Sequence, residues 1–460
     1  MKTTRIRNCQ LSQTGGQNVV GLLIVLGMMS VAQAEDPVSF RAQIAPVLIN
    51  NCLACHGPKK AEGGYRVDNY ERLLSEGDSG SVGVKGKDIE VSELFRRLVS
   101  EDKDERMPLE SEPLTAEEIA LVKRWITEGA ANDASDPKAP LSTIVPPPIH
   151  PDPPEAYPSS LPITALVFSP DGKELLVGGY HELTVWNPLD GKLVRRIRNI
   201  SQRTYAVRYS PDGKQLAVGG GAPGRLGEAR LFNMENGELI RVLGTTTDVV
   251  LDVAFNPKGD QLAVASAAGV IRIFEVASGK ELRVITSHSD WVMAIAWSDD
   301  GKQIVSASRD KTAKVFDAGK GELVVTYSGH GQPVRGVAFH PDGKEVFSSG
   351  NDKKIHRWKI ADGKKSAEVG FGGEVYKLQR AGEFFVTASS DKTVRQFEVK
   401  THKAIRSYAG NADWALATAF HTGSKRIASG GFDGEVHVWN AEDGKPVVKF
   451  VAAPGYEASK

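Results

Sequence analysis

Cysteine is scarce in this chain, three in 460 residues, too few for the disulfide framework that holds many small exported domains together. Neither charge is in surplus, with 57 basic and 57 acidic side chains, so nothing in the overall balance favours nucleic acid or an anionic membrane. Methionine is limited to six, so each can be weighed singly. Apolar runs long enough to cross a bilayer are also wanting. The run from Val19 to Ala32 has about fourteen residues, against the ~20 a membrane-spanning helix needs. Lys2, Arg5 and Arg7 precede it and Ala32-Gln33-Ala34 closes it, which is the order of a secretory signal peptide and its cleavage site. Residues 1–34 are therefore read as that signal, with an exported, periplasmic mature chain that starts at Glu35 and has no membrane span. An uncleaved anchor is the alternative. Cys9 departs with the signal, which leaves Cys52 and Cys55.

Those two stand in Cys52-Leu53-Ala54-Cys55-His56. Two thiols one helical turn apart can each form a thioether to a haem vinyl group, and the next histidine then faces the iron as proximal ligand. Gly57 leaves room for the haem edge. A redox disulfide or a zinc site would also use a Cys-x-x-Cys pair, but zinc needs a second ligand pair, and the adjacent histidine favours haem c, covalently bound, one per chain. A low-spin iron needs a sixth ligand. Met107 is the sole methionine between the signal and the last 300 residues, and the Pro108 that follows restricts the loop. His150 is the competing donor. Arg66 is a candidate partner for a haem propionate, with a solvated arginine as the alternative.

Proline divides the chain. Residues 137–160, with Pro146-Pro147-Pro148 and Pro151-Asp152-Pro153-Pro154, cannot sustain helix or central strand and are expected to be an extended linker. Upstream, residues 35–136 read as helices and loops. Phe40, Ile44, Val47 and Leu48 form one apolar stripe, and Leu94, Phe95, Leu98 and Val99 a second. Thr115 and Glu118 form a capping box for a third helix that Gly129 ends, with Ile119, Leu121, Val122, Trp125 and Ile126 on its buried face. Residues 36–136 hold 13 Lys and Arg against 20 Asp and Glu, so this segment is acidic and the remainder mildly basic.

Downstream, a unit of about 42 residues recurs seven times over 161–453. Its turn reads Ser169-Pro170-Asp171-Gly172-Lys173, Ser210-Pro211-Asp212-Gly213-Lys214, Ser298-Asp299-Asp300-Gly301-Lys302 and His340-Pro341-Asp342-Gly343-Lys344, and an aromatic closes each unit: Trp186, Phe232, Phe274, Phe316, Trp358, Phe397 and Trp439. These repeats resemble the WD-repeat family, which implies an all-β, seven-bladed propeller of four-stranded blades. His330, Ser348, Asp352 and Trp358 match the family's internal hydrogen-bond set; His288, Ser306 and Asp310 match it with Phe316 in place of tryptophan. No strand is evidently borrowed to latch the ring, and Ser142 to Val145 is a candidate extra edge strand. Gly219 to Gly224 is read as an enlarged turn.

The upstream segment also has a family likeness. Asn51-Cys52-Leu53-Ala54-Cys55-His56-Gly57, Gly63-Gly64-Tyr65-Arg66-Val67-Asp68, Gly77-Asp78-Ser79-Gly80, Asp104-Glu105-Arg106-Met107-Pro108 and Leu114 to Ala130 together resemble the planctomycete-type cytochrome c domain. That resemblance implies an all-α cytochrome c-like domain with covalent haem and His56 and Met107 as axial ligands. Leu109 departs from it, since a second proline is common there. Gly77-Asp78-Ser79-Gly80 also imitates a protease nucleophile loop, but the only upstream histidine is committed to the haem motif.

Trp291 and Trp414 occupy equivalent places six residues before Trp297 and Phe420, where WD repeats expose side chains on one face, and Tyr205, Arg335 and Tyr376 are expected beside them. Aromatic and arginine side chains dominate binding hot spots, so these five are the candidate docking residues for an unidentified protein, with packing between blades as the alternative. His181, His356, His402, His421 and His437 show no ligand spacing. The reading is an exported carrier of single electrons, more a carrier than a catalyst, with the propeller as docking scaffold for a redox protein partner and no nucleic acid. Glu101, Asp102, Asp104 and Glu105 beside Met107 predict a basic docking surface. A haem-dependent oxidoreductase with a catalytic site on the propeller, and a scaffold with a sensory or structural haem, are the alternatives.

Overall fold

A computed structural model of the chain describes residues 36–58, 60–109, 111–147 and 149–456; the signal-peptide reading of 1–34 lies outside them. The chain divides into two units, Met1–Pro146 and Pro147–Lys460.

In the first unit a π-helical turn, Phe40–Ile44, runs into α1 (Ala45–Asn51) and buries Phe40, Ile44, Val47 and Leu48. α2 (Tyr70–Leu73), α3 (Glu93–Leu98), α4 (Ala116–Glu128) and α5 (Leu141–Ile144) follow. Among the described residues of this unit, only α4 has the length of an ordinary helix. Thr115 caps it as expected, with both bonds of the box formed, and Gly129 ends it at φ 116°. Its Trp125 stacks on Phe40 at 5.4 Å between ring centroids, and Tyr70 meets the same Phe40 ring edge-on at 5.1 Å. Between these helices the backbone is held by loops. Gly86 approaches Gly129 so closely that a Cβ there would lie 2.2 Å from the Gly129 carbonyl. The unit thus has short helices among long loops, and the expectation of an all-α domain is met only in part. Val99, counted on the second apolar stripe, is 46% exposed because α3 ends at Leu98.

Parts of the proline-rich stretch are bonded within each unit. Glu71 N donates to Pro137 O at 3.0 Å, Leu141 N to Asp68 O at 2.9 Å, and Arg41 Nε to Ile144 O at 3.0 Å, with Leu141 buried. The edge strand expected over Ser142 to Val145 is not formed, because Leu141–Ile144 is a helical turn packed in the first unit. Beyond residue 148 the stretch lies on the second unit. Tyr157 Oη donates to Glu182 at 2.6 Å, Arg196 Nη2 donates to Pro154 O at 2.6 Å, and His150 bonds Glu228 through Nε2. Glu182 and Glu228 are fully buried, each already paired with an arginine, Arg196 or Arg230. A buried carboxylate demands that its remaining lone pairs be satisfied, and Tyr157 and His150 do this.

The second unit is a propeller of seven antiparallel sheets, each made of four consecutive strands. Blades 1 to 7 span 166–197, 203–246, 250–285, 292–327, 334–370, 375–408 and 415–451. Among the described residues no blade borrows a strand, so the ring closes by packing. Phe168, Val177 and Trp186 of blade 1 share one apolar cluster with Ala417, Ala428 and Val436 of blade 7. His421 Nε2 reaches Pro170 O at 3.0 Å, Ile163 N donates to Gly431 O at 3.0 Å, and Tyr157 N to Pro454 O at 2.9 Å. Inside the ring Asp252 of blade 3 accepts from Arg208 of blade 2 at 3.4 Å, from Lys377 of blade 6 at 3.5 Å and from the Ile295 amide of blade 4 at 3.2 Å. Burial pushes the Lys377 pKa down, and Asp252 opposes that shift.

The glycines expected as an enlarged turn lie mostly in strand. Gly219, Gly220 and Gly221 pair with blade 2's inner strand, and the turn is confined to the residues after Ala222. A Cβ on Gly220 would stand 2.2 Å from Arg203 O, so close backbone approach accounts for the run.

Candidate haem site and docking face

α1 delivers the thiols. Cys52 is its C-terminal cap, with Cys52 N on Leu48 O at 2.9 Å, and one further turn follows in which Cys55 N and His56 N both donate to Cys52 O, at 3.2 and 2.9 Å. Cys52, Cys55 and His56 are therefore brought together on a single turn. Both cysteines are unpaired, Cys52 half-buried and Cys55 exposed. Burial, reinforced by Glu118, pushes the Cys52 thiol up to about 12. Gly57 is required for a reason beyond haem clearance, since a Cβ there would lie 2.5 Å from Leu53 O.

The His56 ring is oriented by its surroundings. Nδ1 lies 3.3 Å from Tyr65 O, and Val67 N donates to His56 O at 2.8 Å. A carbonyl accepts only, so Nδ1 carries the proton and Nε2 keeps its lone pair. Tyr65 is itself fixed, its hydroxyl donating to Leu73 O at 2.7 Å. The glycine motifs serve this arrangement. Gly77 and Gly83 leave no room for a Cβ beside Tyr65, at 3.1 and 2.4 Å, and Asp78 N donates to Gly63 O at 2.7 Å. Gly77-Asp78-Ser79-Gly80 is thus a packing turn.

Met107 is half-buried in the loop after α3, its amide donating to Arg97 O at 3.0 Å, and the Met107–Pro108 bond is cis. Arg66 forms a two-pronged pair with Asp68 at 2.7 and 2.8 Å, so its guanidinium already has a carboxylate partner. His150, the competing axial donor, belongs to the second unit and is bonded to Glu228. Of the acidic loop residues, Glu101, Asp102 and Asp104 are exposed, while Glu105 pairs with Arg96 at 3.1 Å.

On the propeller, blade 5 forms the complete bonded set: His330 Nδ1 to Asp352 at 2.7 Å, Nε2 to Ser348 Oγ at 2.8 Å, and Trp358 Nε1 to the same Oγ at 3.1 Å. Blade 4 forms the first two contacts, at 2.8 and 2.6 Å, and Phe316 supplies no donor. His330, Asp352 and His356 lie close enough together to suggest a metal site, but both His330 nitrogens are spent within the blade. The remaining histidines have structural partners: His181 Nδ1 on Ile200 O at 3.2 Å, His437 Nε2 on Glu435 at 3.2 Å, and His402 stacked at 4.7 Å on Phe347.

Four of the five docking candidates lie along one stripe. Arg309 covers the Trp291 ring at 4.8 Å, Arg335 lies 5.7 Å from the Tyr376 ring, Tyr376 is 6.1 Å from Trp414, and Trp414 is 5.7 Å from Phe432. Arg309 and Arg335 are near enough to influence one another electrostatically. Trp291, Trp414 and Phe432 remain 37, 44 and 48% exposed. Tyr205 instead packs with Val249, Leu251, Ala267 and Met293. Arg309 and Phe432 escaped the sequence reading although a signal existed. Each precedes the aspartate of its blade's turn, Asp310 or Asp433, as Asn351 precedes Asp352, and each donates its amide to the neighbouring loop: Arg309 N to Trp291 O, Asn351 N to Pro333 O, Phe432 N to Trp414 O, all at 2.9 Å.

Residues 52–110 match the Planctomycete cytochrome C family, and 237–275, 279–317, 321–359 and 402–440 match the WD domain, G-beta repeat family. Both agree with the resemblances drawn from the motifs, and the first implies haem binding by a segment that contains Cys52, Cys55, His56 and Met107. The second implies protein interactions for the propeller. No curated protein matched the chain in a sequence search. The matched repeats begin on an outer strand of the preceding blade, whereas the ring begins on an inner strand and ends on an outer one. Among the described residues no helix is long and apolar enough to cross a membrane.

Proposed function

We propose that the protein is an exported, periplasmic c-type cytochrome in which Cys52 and Cys55 carry one covalent haem, His56 and Met107 are its axial ligands, and the propeller docks protein partners. One observation carries the reading. The His56 ring is held by Tyr65 O with Nε2 left as the ligating nitrogen, on the same turn as two unpaired thiols. That donor set suits haem c: two thiols for the vinyl groups, an oriented imidazole, and a thioether in the same unit.

The haem, when bound, supplies reversible one-electron chemistry at its iron. The chain supplies the rest. Tyr65 O fixes the imidazole tautomer and increases its basicity toward the metal, as carbonyl partners of ligating histidines do. Met107 Sδ favours the ferrous state relative to a second histidine. Glu101, Asp102 and Asp104 offer an exposed acidic edge that steers a basic redox partner, with rates that fall as salt rises.

Export in a host that matures c-type cytochromes, followed by optical spectroscopy, tests the proposal. The oxidised protein is expected to show the weak near-infrared sulfur-to-iron band, and Met107→Ala to abolish it while the haem stays attached. A band that survives Met107→Ala removes Met107 from the iron. Electron-transfer rates that ignore salt remove the acidic docking edge.

A further inference from the structure

The exposed stripe on the propeller carries unpaired positive charge as well as aromatic surface. The turns that present Arg309 and Asn351 each hold a lysine two residues on, Lys311 and Lys353, both exposed and both at positive φ, 70° and 63°. Neither lysine, nor Arg335, forms an ion pair with a described residue. Arg335 is half-buried, donates from Nε to Asn351 Oδ1 at 2.8 Å, and lays its guanidinium beside the Tyr376 ring. Burial pushes its pKa down and Glu374 only partly opposes this. A half-desolvated guanidinium stacked on an aromatic ring, its terminal nitrogens bonded to no described residue, is a fork shaped for a carboxylate. Arg309 is already paired, with Asp290 at 3.4 Å. The carboxylates at the other end of the stripe are engaged too: Asp413 accepts from Trp414 N and Asp433 from Glu435 N, at 2.8 and 3.0 Å.

We propose that this face, across blades 4 to 7, receives an acidic polypeptide segment. A carboxylate of the segment sits on Arg335, which bonds Asn351 of the turn that carries Lys353 and interacts with Arg309 of the turn that carries Lys311, and a neighbouring aromatic or aliphatic side chain lies on the Tyr376–Trp414–Phe432 ladder. The inference rests on the propeller being a protein-docking scaffold and adds the chemistry of what docks. Aromatic and arginine side chains in one patch are where binding energy concentrates, and the surrounding lysines set orientation and association rate.

The test uses the full chain and three peptides of equal length, with Glu and Asp, Lys and Arg, or Ser around one central Phe. Calorimetry is expected to show binding of the acidic peptide alone, weakened by added salt. Arg335→Gln and Trp414→Ala are each expected to weaken it about tenfold or more. Arg335→Lys is expected to recover part of the loss, since it keeps the charge and loses the fork. Thermal melting and the haem spectrum of these variants are expected to match those of the parent. Binding of the basic or neutral peptide that Trp414→Ala abolishes would overturn the acidic assignment and leave the docking face intact. Binding of no peptide, or binding indifferent to Trp414→Ala, would overturn the docking face as well.

Discussion

The cytochrome-like unit and the propeller spend their polar groups differently. In the first unit aromatic side chains set their polar tips on backbone carbonyls: Tyr65 on Leu73, Tyr70 on Ala130, Trp125 on Ala131, at 2.7, 2.7 and 2.9 Å. Each bond pins one loop, and none recurs. In the propeller the same few side chains bond one another in successive blades, as His288 and His330 do with Ser306 and Ser348. A fold built from single loops fixes each side chain once, while a fold built from repeats presents the same positions blade after blade.

The contrast is sharpest inside the ring, where the largest effect is expected. Asp252→Ala leaves Lys377 and Arg208 without their shared carboxylate, and loss of one partner of a buried ion pair costs about 3–5 kcal/mol. Chemical denaturation should show that loss in the propeller transition with the haem spectrum unaltered. Equal losses in both units would break the comparison.

Acid gives the next effect. His356 is buried and stacked at 4.0 Å on His330, and burial, then the His330 charge, push its pKa from the usual 6.5 down to about 4. The unfolded chain therefore binds a proton that the folded one refuses between those values, so the contribution is intact above about 6.5 and is lost as the pH falls toward 4. Melting temperatures across that range should fall, with a free-energy change on the order of a few kcal/mol. His356→Gln should reduce the slope; an unchanged slope assigns it to His288, His402 and His437, whose pKa values are also lowered.

The smallest effects lie in the first unit. Thr115→Ala removes the cap of α4 and should cost about 1 kcal/mol, and Tyr65→Phe a similar amount through the bond to Leu73 O. Tyr65→Phe leaves the carbonyl that holds His56 in place, so the haem spectrum should not move. A shifted spectrum would mean that the hydroxyl, through Tyr65, positions His56.

What the sequence disclosed follows the same division. The recurring turns and the seven closing aromatics place every blade because repetition multiplies a weak signal, including blades 1, 2 and 6, whose inner three strands the repeat family does not match. The capping box at Thr115 was legible because its partners lie three residues apart. Contacts between distant residues were not. Nothing local ties Asp252 to Lys377, and the partner of His56 is a backbone oxygen, which any residue at 65 would provide. Glycine misled: Gly219 to Gly221 read as a turn and are strand. The helices of the first unit are shorter than its apolar stripes suggest, α3 ending before Val99, and Gly63, Gly64 and Gly80, all at positive φ, hold turns outside those stripes.

The central claim is that Cys52 and Cys55 hold haem covalently, and the most direct measurement is the haem content of exported protein on a denaturing gel, quantified as the pyridine haemochrome. The account predicts one haem per chain that survives denaturation, and its loss in Cys52→Ser/Cys55→Ser with the propeller still folded. Exported protein with no bound haem and two thiols open to alkylation would contradict it.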